Sequence, residues 1–149
     1  MRESEILLVE DNEDDILLTK RALAKSNLKN EIIVARDGVE AIDYLFGNGA
    51  NSCLDGNLCP MLILLDIHLP KIDGLGVLKR IRDDKRTHLC RVVILTSSKE
   101  ESDLIRSYQL GVNSFIRKPV DFSQFAEAIL QLGLYWLVLN EQSPAENVR

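Results

Sequence analysis

The sequence predicts an α/β protein built on a doubly wound, five-stranded parallel sheet with helices on both faces. Five short apolar runs alternate with longer segments whose apolar residues recur at helical spacing. Short continuous apolar runs are typical of strands that are buried on both faces. Parallel strands need crossover connections, and right-handed crossovers distribute the helices over both faces of an open sheet.

The five apolar runs are bounded by turn-forming or charged residues, and we predict them as strands. They are residues 6–9, 31–35, 61–65, 91–95 and 114–116. The first three helical segments follow pairs that favour a helix start, and Gly111 is expected to end the fourth. These pairs are Asp14-Asp15, Asp37-Gly38 and Asp73-Gly74. The last helix is predicted to begin near Phe122 and to continue through residue 139.

At this chain length, the flavodoxin-like strand order 2-1-3-4-5 is the natural arrangement of five such units. The switch point of that order lies between strands 1 and 3, at their carboxyl ends. A functional site is therefore expected just after Val9 and just after Leu65.

Length and composition indicate one compact domain. The chain has 149 residues, of which 46% are hydrophobic, and we assign residues 1–141 to the domain and 142–149 to a frayed tail. No signal peptide precedes the first strand, and no apolar stretch approaches the ~20 residues that a membrane span needs. We expect a soluble, cytoplasmic protein without a membrane partner.

The charge balance argues against nucleic acid as a direct partner. The chain carries 23 acidic and 18 basic residues, a net charge of -5. Binding to phosphates would require a basic face, which the sequence lacks. The densest basic cluster, Lys79, Arg80 and Arg82, is interpreted as a solvated helix face.

The three cysteines, Cys53, Cys59 and Cys90, form no C-x-x-C pair. Free thiols in a reducing cytosol are the expectation. A disulfide between Cys53 and Cys59, inside the long connection at residues 47–60, is the alternative.

Three carboxylates are expected to meet at the switch point, because Glu10 and Asp11 follow strand 1 and Asp66 follows strand 3. Like charges so close together would raise one another's pKa unless a cation lay among them. A hard divalent ion fits oxygen ligands, and Mg²⁺ suits a site that keeps several waters. Such residues can also simply cap the following helices. Their presence on both sides of the switch point favours the metal site.

Two further strand ends bring a hydroxyl and a cation to the same crevice. Strand 4 ends at Thr96, and Lys118 follows strand 5. A carboxylate nucleophile, a metal, a hydroxyl and an ammonium together indicate phosphoryl transfer to an aspartate. In this interpretation Asp66 attacks, Mg²⁺ and Lys118 offset the charge on the phosphoryl oxygens, and Thr96 binds one of them.

Five ordered motifs resemble those of response regulator receiver domains, over roughly residues 4–133. They are Val9-Glu10-Asp11-Asn12, Leu65-Asp66-Ile67-His68-Leu69-Pro70, Asp73-Gly74, Leu95-Thr96-Ser97 and Lys118-Pro119. The resemblance implies that Asp66 is the phosphoacceptor and that Asp11, Asp66 and the main-chain carbonyl of His68 bind the metal. It implies that Glu10 acts on the metal mainly through water.

The same resemblance implies a switch. Thr96 would be the switch hydroxyl, Lys118 the phosphate-binding cation, and the Lys118-Pro119 peptide bond would be cis. Phe115 stands where the family has its switch aromatic, often a Tyr, although plain core packing is the alternative. Phosphorylation is expected to move Thr96 and Phe115 toward the site. We expect the side chain of His68 to face solvent.

The resemblance to a stand-alone receiver implies a sensor histidine kinase as partner and an unknown downstream protein as target. The apolar residues 132–139, which include Trp136, and the connection at 47–60 resemble the small response regulators of bacterial phytochromes, which commonly dimerise. A regulator of another sensor kinase is the alternative. A homodimer through the fourth and last helices is our hypothesis.

Three other functions fit the motifs less well. A phosphatase with an aspartyl nucleophile would need a second Asp at the position of His68, and a cap domain. A flavin- or nucleotide-binding protein would need a glycine-rich loop after strand 1. A degenerate receiver would lack one of the five motifs. We therefore predict a phosphoacceptor without turnover on a separate substrate.

Overall fold

The computed structural model describes residues 5–25, 30–47, 59–97, 106 and 108–132. Within these residues the strands are β1 (Glu5–Val9), β2 (Glu31–Ala35), β3 (Leu62–Asp66), β4 (Val92–Thr96) and β5 (Ser114–Arg117). The helices are α1 (Glu13–Lys25), α2 (Gly38–Phe46), α3 (Gly74–Asp83) and α4 (Phe122–Gln131). None of these described helices is both long enough and apolar enough to cross a membrane.

The five strands form one parallel sheet in the order β2-β1-β3-β4-β5, which confirms the predicted fold class. Strand β1 pairs on one side with the edge strand β2, where Ile6 lies opposite Ile32, and on the other with the central strand β3, where Ile6 lies opposite Leu62. The chain therefore leaves β1 toward one edge and returns through β3 toward the other. Their carboxyl ends lie together at the switch point.

Alternating strand residues build one apolar core on each face of the sheet, because successive side chains of a strand point to opposite faces. Ile6 and Leu8 pack in a cluster with residues of α1 and α4, among them Phe125. Leu7 and Val9 pack in a second cluster with residues of α2 and α3. All five residues of β3 and of β4 are buried, as expected for strands covered on both faces.

Side-chain caps start the helices at the carboxyl edge of the sheet. The carboxylates of Asp37, Asp73 and Asp121 accept from the third backbone N–H of α2, α3 and α4 at 2.8, 2.8 and 2.9 Å. At α1 the side chain of Asn12 accepts from Asp15 N at 2.9 Å. Each cap satisfies a donor that the helix leaves unpaired, and it fixes where the first turn lies.

Several predictions fall on residues outside the described ranges. The fourth predicted helix is described only at Arg106 and from residue 108 onward, where Leu110 N donates to Arg106 O. Gly111 follows with φ of 82°, the left-handed conformation that commonly ends helices. The extension of the last helix beyond residue 132, with Trp136, the tail, Cys53 and most of the connection at 47–60 also lie outside them.

Cys59 and Cys90 form a disulfide, so the expectation of free thiols is wrong for these two residues. Cys59 precedes β3 and Cys90 precedes β4, and the two strands are neighbours in the sheet. The strand pairing brings the two Cα atoms to 5.2 Å although 31 positions separate them in sequence. Cys59 therefore pairs with Cys90 and not with Cys53, the partner considered from the sequence. Cys59 and Cys90 come together because β3 and β4 are neighbours in the sheet.

The solvated face predicted for three basic residues of α3 is correct for Lys79 and partly correct for Arg80, whose side chains are 66% and 42% exposed. The guanidinium of Arg80 lies 3.7 Å over the ring of Phe46. Arg82 is half-buried and donates to the carbonyl oxygens of Gly111 and Cys90, at 2.7 Å in each case. The interpretation as a solvated face is therefore wrong for Arg82, whereas Arg80 keeps 42% of its side chain exposed while it stacks on Phe46.

Candidate functional site

Three carboxylates converge at the carboxyl ends of β1 and β3. Oxygens of Glu10, Asp11 and Asp66 lie within 4.8 Å of one another. Glu10 and Asp66 are buried, with 0% and 3% of their surface exposed, whereas Asp11 is exposed at the mouth of the site. The arrangement is the one expected at a switch point, where neighbouring strands end side by side.

Backbone donors hold one oxygen of each buried carboxylate. Glu10 Oε2 accepts from Asn12 N at 3.2 Å, and Asp66 Oδ1 accepts from His68 N at 3.3 Å. The other oxygen of each faces the same ammonium group, that of Lys118. The two carboxylates are therefore fixed from the loop side and share one cation.

Lys118 reaches this cluster from the end of β5. Its Nζ lies 3.0 Å from Glu10 Oε1, 3.0 Å from Asp15 Oδ2 and 3.4 Å from Asp66 Oδ2. Only 10% of its side chain is exposed. The backbone N–H of Lys118 donates to Thr96 O at 2.9 Å, and the peptide bond to Pro119 is cis, as predicted.

Burial dominates the electrostatics of the two inner carboxylates. It raises the pKa of Glu10 to about 7; the charge of Asp66 adds to the rise and the hydrogen bond from Lys118 opposes it. Burial also raises the pKa of Asp66, again against the attraction of Lys118. For Lys118, burial lowers the pKa, but the carboxylates of Asp15 and Glu10 outweigh it and leave the pKa raised. The ammonium therefore stays charged at neutral pH.

The donor set fits a divalent cation. Three carboxylates each offer one oxygen, and hard cations such as Mg²⁺ or Ca²⁺ prefer oxygen ligands. Because Asp11 is exposed, the outer side of the cluster has room for water ligands. A cation there would offset the cost of ionising Glu10 and Asp66 together. The side chain of His68 is exposed, as predicted, and the use of its main-chain carbonyl as a ligand stays a prediction.

The two predicted switch residues lie on β4 and β5. Thr96 is buried at the end of β4, next to the backbone of Lys118. Phe115 is half-buried, and its ring meets that of Tyr108 edge to face, with centroids 4.6 Å apart. A cavity of about 160 Å³ borders Phe115 and is otherwise lined by residues of α4: Gln124, Glu127, Ala128 and Gln131. Phe115 thus lies between the edge of the sheet and the surface.

The sequence interpretation missed two residues that contact Lys118 or its backbone. Asp15 accepts a hydrogen bond from the ammonium of Lys118. Gln124 binds the backbone of the residues before and after Lys118. Gln124 Oε1 accepts from Arg117 N, and its Nε2 donates to Pro119 O, both at 3.2 Å. Asp15 lies about one helical turn beyond Asp11, a spacing that could have indicated it. No sequence signal singled out Gln124.

Residues 6–130 match the family described as the response regulator receiver domain. The chain belongs to this family. Receiver domains are the phosphoacceptors of two-component signalling, and they bind a divalent metal. The acidic cluster of this receiver domain lies inside the matched residues.

Relatives of this receiver domain match along most of its length. The bacteriophytochrome response regulator AtBRR is 52% identical, with a TM-score of 0.77 over 92% of this chain and 97% of its own. The response regulator Rcp1 of Synechocystis sp. is 36% identical over 89% of this chain and 88% of its own. A structure of Rcp1 in its Mn²⁺-bound form has a TM-score of 0.72 at 35% identity, over 94% of this chain and 99% of its own. The probable methanogenesis regulatory protein FilR2 of Methanothrix harundinacea is 38% identical over 91% of this chain and 84% of its own.

Proposed function

We propose that Asp66 accepts a phosphoryl group from a sensor histidine kinase while Mg²⁺ is bound at the acidic cluster. One observation carries the proposal: the charged Nζ of Lys118 lies 3.4 Å from Asp66 and 3.0 Å from Glu10. A buried carboxylate thereby has a fixed positive charge beside it. Fixed charges aimed at the site where negative charge accumulates are the main source of stabilisation in phosphoryl transfer.

In the transfer, a carboxylate oxygen of Asp66 attacks the phosphorus of a phosphohistidine. The new O–P bond forms as the P–N bond breaks, and the electron pair of the broken bond stays on the imidazole nitrogen. Lys118 offsets charge on the phosphoryl oxygens, and the hydroxyl of Thr96 donates to one of them. Asp11, Asp66 and the main-chain carbonyl of His68 would hold Mg²⁺, with Glu10 acting through water, and the ion would supply further positive charge there.

A site of this kind carries the phosphoryl group on its own aspartate and does not turn over a separate substrate. The phosphoryl group stays on Asp66 until water removes it, and the position two residues later holds His68 where an aspartyl phosphatase would have an acid/base Asp. The protein assists its own phosphorylation and dephosphorylation. A cytoplasmic location, the absence of direct nucleic-acid contacts and a domain that spans residues 1–141 stay predictions.

We also propose that the phosphorylated state is read by another protein. When Thr96 moves toward the phosphoryl group, Phe115 would move with it. The ring of Phe115 contacts that of Tyr108, which is 64% exposed. That surface belongs to the face on which we expect homodimerisation. Sedimentation with and without beryllofluoride, a phosphoryl mimic, tests the dimer; a monomer under both conditions contradicts it.

Similarity to AtBRR favours a bacteriophytochrome as the kinase. The relationship to FilR2 makes a different sensor kinase the second candidate. Purified, autophosphorylated kinases of both kinds, at equal concentration, distinguish the two. We expect faster transfer from the bacteriophytochrome; faster transfer from the other kinase would contradict this assignment.

The phosphoacceptor is tested by incubation with acetyl phosphate and Mg²⁺, followed by intact mass measurement. The native chain should gain one phosphoryl group, and the Asp66→Asn chain should gain none. Omission of the divalent cation should abolish the gain in the native chain. Equal modification of both chains would contradict the assignment of Asp66.

A further inference from the structure

Asp15 lies in the first turn of α1, 103 positions before the lysine that it binds. Its backbone N–H donates to Asn12 Oδ1 at 2.9 Å, so the cap of the helix fixes its place. Its Oδ2 lies 3.0 Å from Lys118 Nζ, and 25% of its side chain is exposed. The neighbouring Ile16 and Thr19 are buried, which holds this end of the helix against the sheet. Asp15 is therefore a charged group on a rigid element.

Three carboxylates surround Lys118 Nζ, but only two of them accept its hydrogen bonds, those of Glu10 and Asp15, whereas Asp66 forms an ion pair at 3.4 Å. An ammonium group has three N–H donors, so one donor is left for a group on the Asp66 side. The contacts with Asp15 and Glu10 are the short ones, and the contact with Asp66 is the longest. A phosphoryl oxygen on Asp66 would take the place of that longest contact. The two short contacts could persist, and they hold the ammonium beside the acceptor.

Only one of the two short contacts is independent of the metal cluster. Glu10 belongs to the set of carboxylates that fits a divalent cation, whereas Asp15 does not. A carboxylate that contributes to binding a cation attracts an ammonium less strongly. Asp15 is then the partner of Lys118 that stays unchanged between the metal-free and the metal-loaded protein.

We propose that Asp15 is a positioning residue for Lys118, which it holds beside Asp66 from outside the metal cluster. This role deepens the proposed function of Asp66 and rests on it. Asp15 touches neither the acceptor carboxylate nor, by this proposal, the phosphoryl group. It acts only through the ammonium of Lys118.

The first test measures Lys118 directly, in the unphosphorylated and metal-free protein, by ¹H–¹⁵N NMR of lysine ammonium groups. A nearly buried ammonium that donates two hydrogen bonds to carboxylates should exchange its protons slowly enough to give a separate signal. Asp15→Asn should speed this exchange at least about tenfold, while Asp14→Asn should leave it unchanged. Asp14 is the matched control, since it is exposed, carries the same charge and lies in the same turn of α1. Equal exchange in both variants overturns the proposal.

The second test measures the rate of phosphorylation by acetyl phosphate. Asp15→Asn should slow it about tenfold, the order expected for loss of one charge-assisted hydrogen bond, and Asp15→Glu should restore part of the rate. Asp14→Asn should keep the native rate. In a Lys118→Met background, Asp15→Asn should cause no further slowing, because its effect passes through the lysine.

The outcomes separate this inference from the proposed function. A native chain that is never phosphorylated contradicts the function of Asp66, and the NMR comparison still decides the contact between Asp15 and Lys118. A native rate, or a faster one, in Asp15→Asn overturns the positioning role even if Asp66 is the acceptor. Undiminished slowing in the Lys118→Met background overturns it as well. Circular dichroism and urea unfolding of each variant verify that the fold is retained.

Discussion

The backbone carbonyl oxygen of Asp66 occupies the place where a side chain on Gly74 would begin. A Cβ on Gly74 would lie 2.1 Å from Asp66 O and 2.6 Å from Ile67 Cα. The N–H of Gly74 donates to Ile67 O at 2.7 Å, so the start of α3 presses directly on the strand end that carries the acceptor. Glycine at this position is a steric requirement of the site.

Gly74→Ala should therefore destabilise the protein by about 1–3 kcal/mol, because both opposing atoms belong to the backbone. It should also slow phosphorylation by acetyl phosphate, since Asp66 must shift. Gly76→Ala is the control: its Cβ would meet the side-chain atom Ile72 Cγ2 at 2.9 Å, which can move, and alanine favours a helix. Urea unfolding of both variants checks the difference; equal stability would contradict the steric argument.

The pKa of Glu10 predicts a pH dependence of stability in the metal-free protein. Because burial raises the folded-state pKa from 4.5 to about 7, the contribution of Glu10 to stability is fully present below about pH 4.5 and is lost as the pH rises through 7. Asp66, whose pKa is also raised, acts in the same direction. Unfolding free energies measured with a chelator present should fall between pH 5 and 8. Glu10→Gln should reduce this fall of the unfolding free energy with pH. An unchanged pH dependence in Glu10→Gln would contradict the role assigned to Glu10.

Affinity for a divalent cation should show the opposite trend. Below about pH 7, a cation must displace the proton that burial keeps on the Glu10–Asp66 pair. The affinity should therefore rise with pH, by up to about tenfold for each pH unit. Calorimetric titration with Mg²⁺ in two buffers of different ionisation enthalpy measures the released proton. Binding without proton release at pH 6 would contradict this account.

Reduction of the disulfide between Cys59 and Cys90 should destabilise the protein. A crosslink over 31 positions restricts the unfolded chain and contributes on the order of 3 kcal/mol. Dithiothreitol should lower the urea midpoint of the native chain and should not affect Cys90→Ser, which starts from the lower value. Cys53→Ser should stay as sensitive to dithiothreitol as the native chain. A midpoint that no reductant changes would mean that the bond does not form.

Arg82 should contribute far more to stability than Lys79, although both are basic residues of α3. Arg82 donates to carbonyl oxygens of Gly111, His88 and Cys90, and thereby connects α3 to the segments that precede β4 and β5. Lys79 forms an exposed pair with Asp83, at side-chain exposures of 66% and 61%. We expect Arg82→Ala to cost about 2–4 kcal/mol and Lys79→Ala less than about 0.5 kcal/mol. Similar losses in urea unfolding would contradict the assigned roles.

The sequence was sufficient for the sheet and for the strand ends that form the site. Apolar runs such as residues 61–65 are too short to be helices, so they are predicted as strands. The parallel order of the strands then determines which carboxyl ends lie side by side. Asp66, Glu10 and Lys118 could be brought together because each directly follows a strand. Their mutual placement depends on topology alone.

Contacts that depend on where side chains lie around a helix were not predictable in the same way. Asp15 looked like a helix-start residue, and only the packing of α1 brings its carboxylate to Lys118. No sequence pattern singled out Gln124, and its bonds to the chain beside Lys118 require the position of α4 against β5. Arg82 resembled its exposed neighbours because the carbonyls that it binds come from distant loops.

The phosphoacceptor role of Asp66 is tested most directly by chemical mapping. The protein is phosphorylated with acetyl phosphate and Mg²⁺ and then treated with sodium borohydride, which reduces a phosphoaspartyl group to homoserine. Peptide mass spectrometry locates the homoserine. Homoserine is expected at position 66 and at no other aspartate; homoserine at another position, with Asp66 intact, would contradict the assignment of the phosphoacceptor.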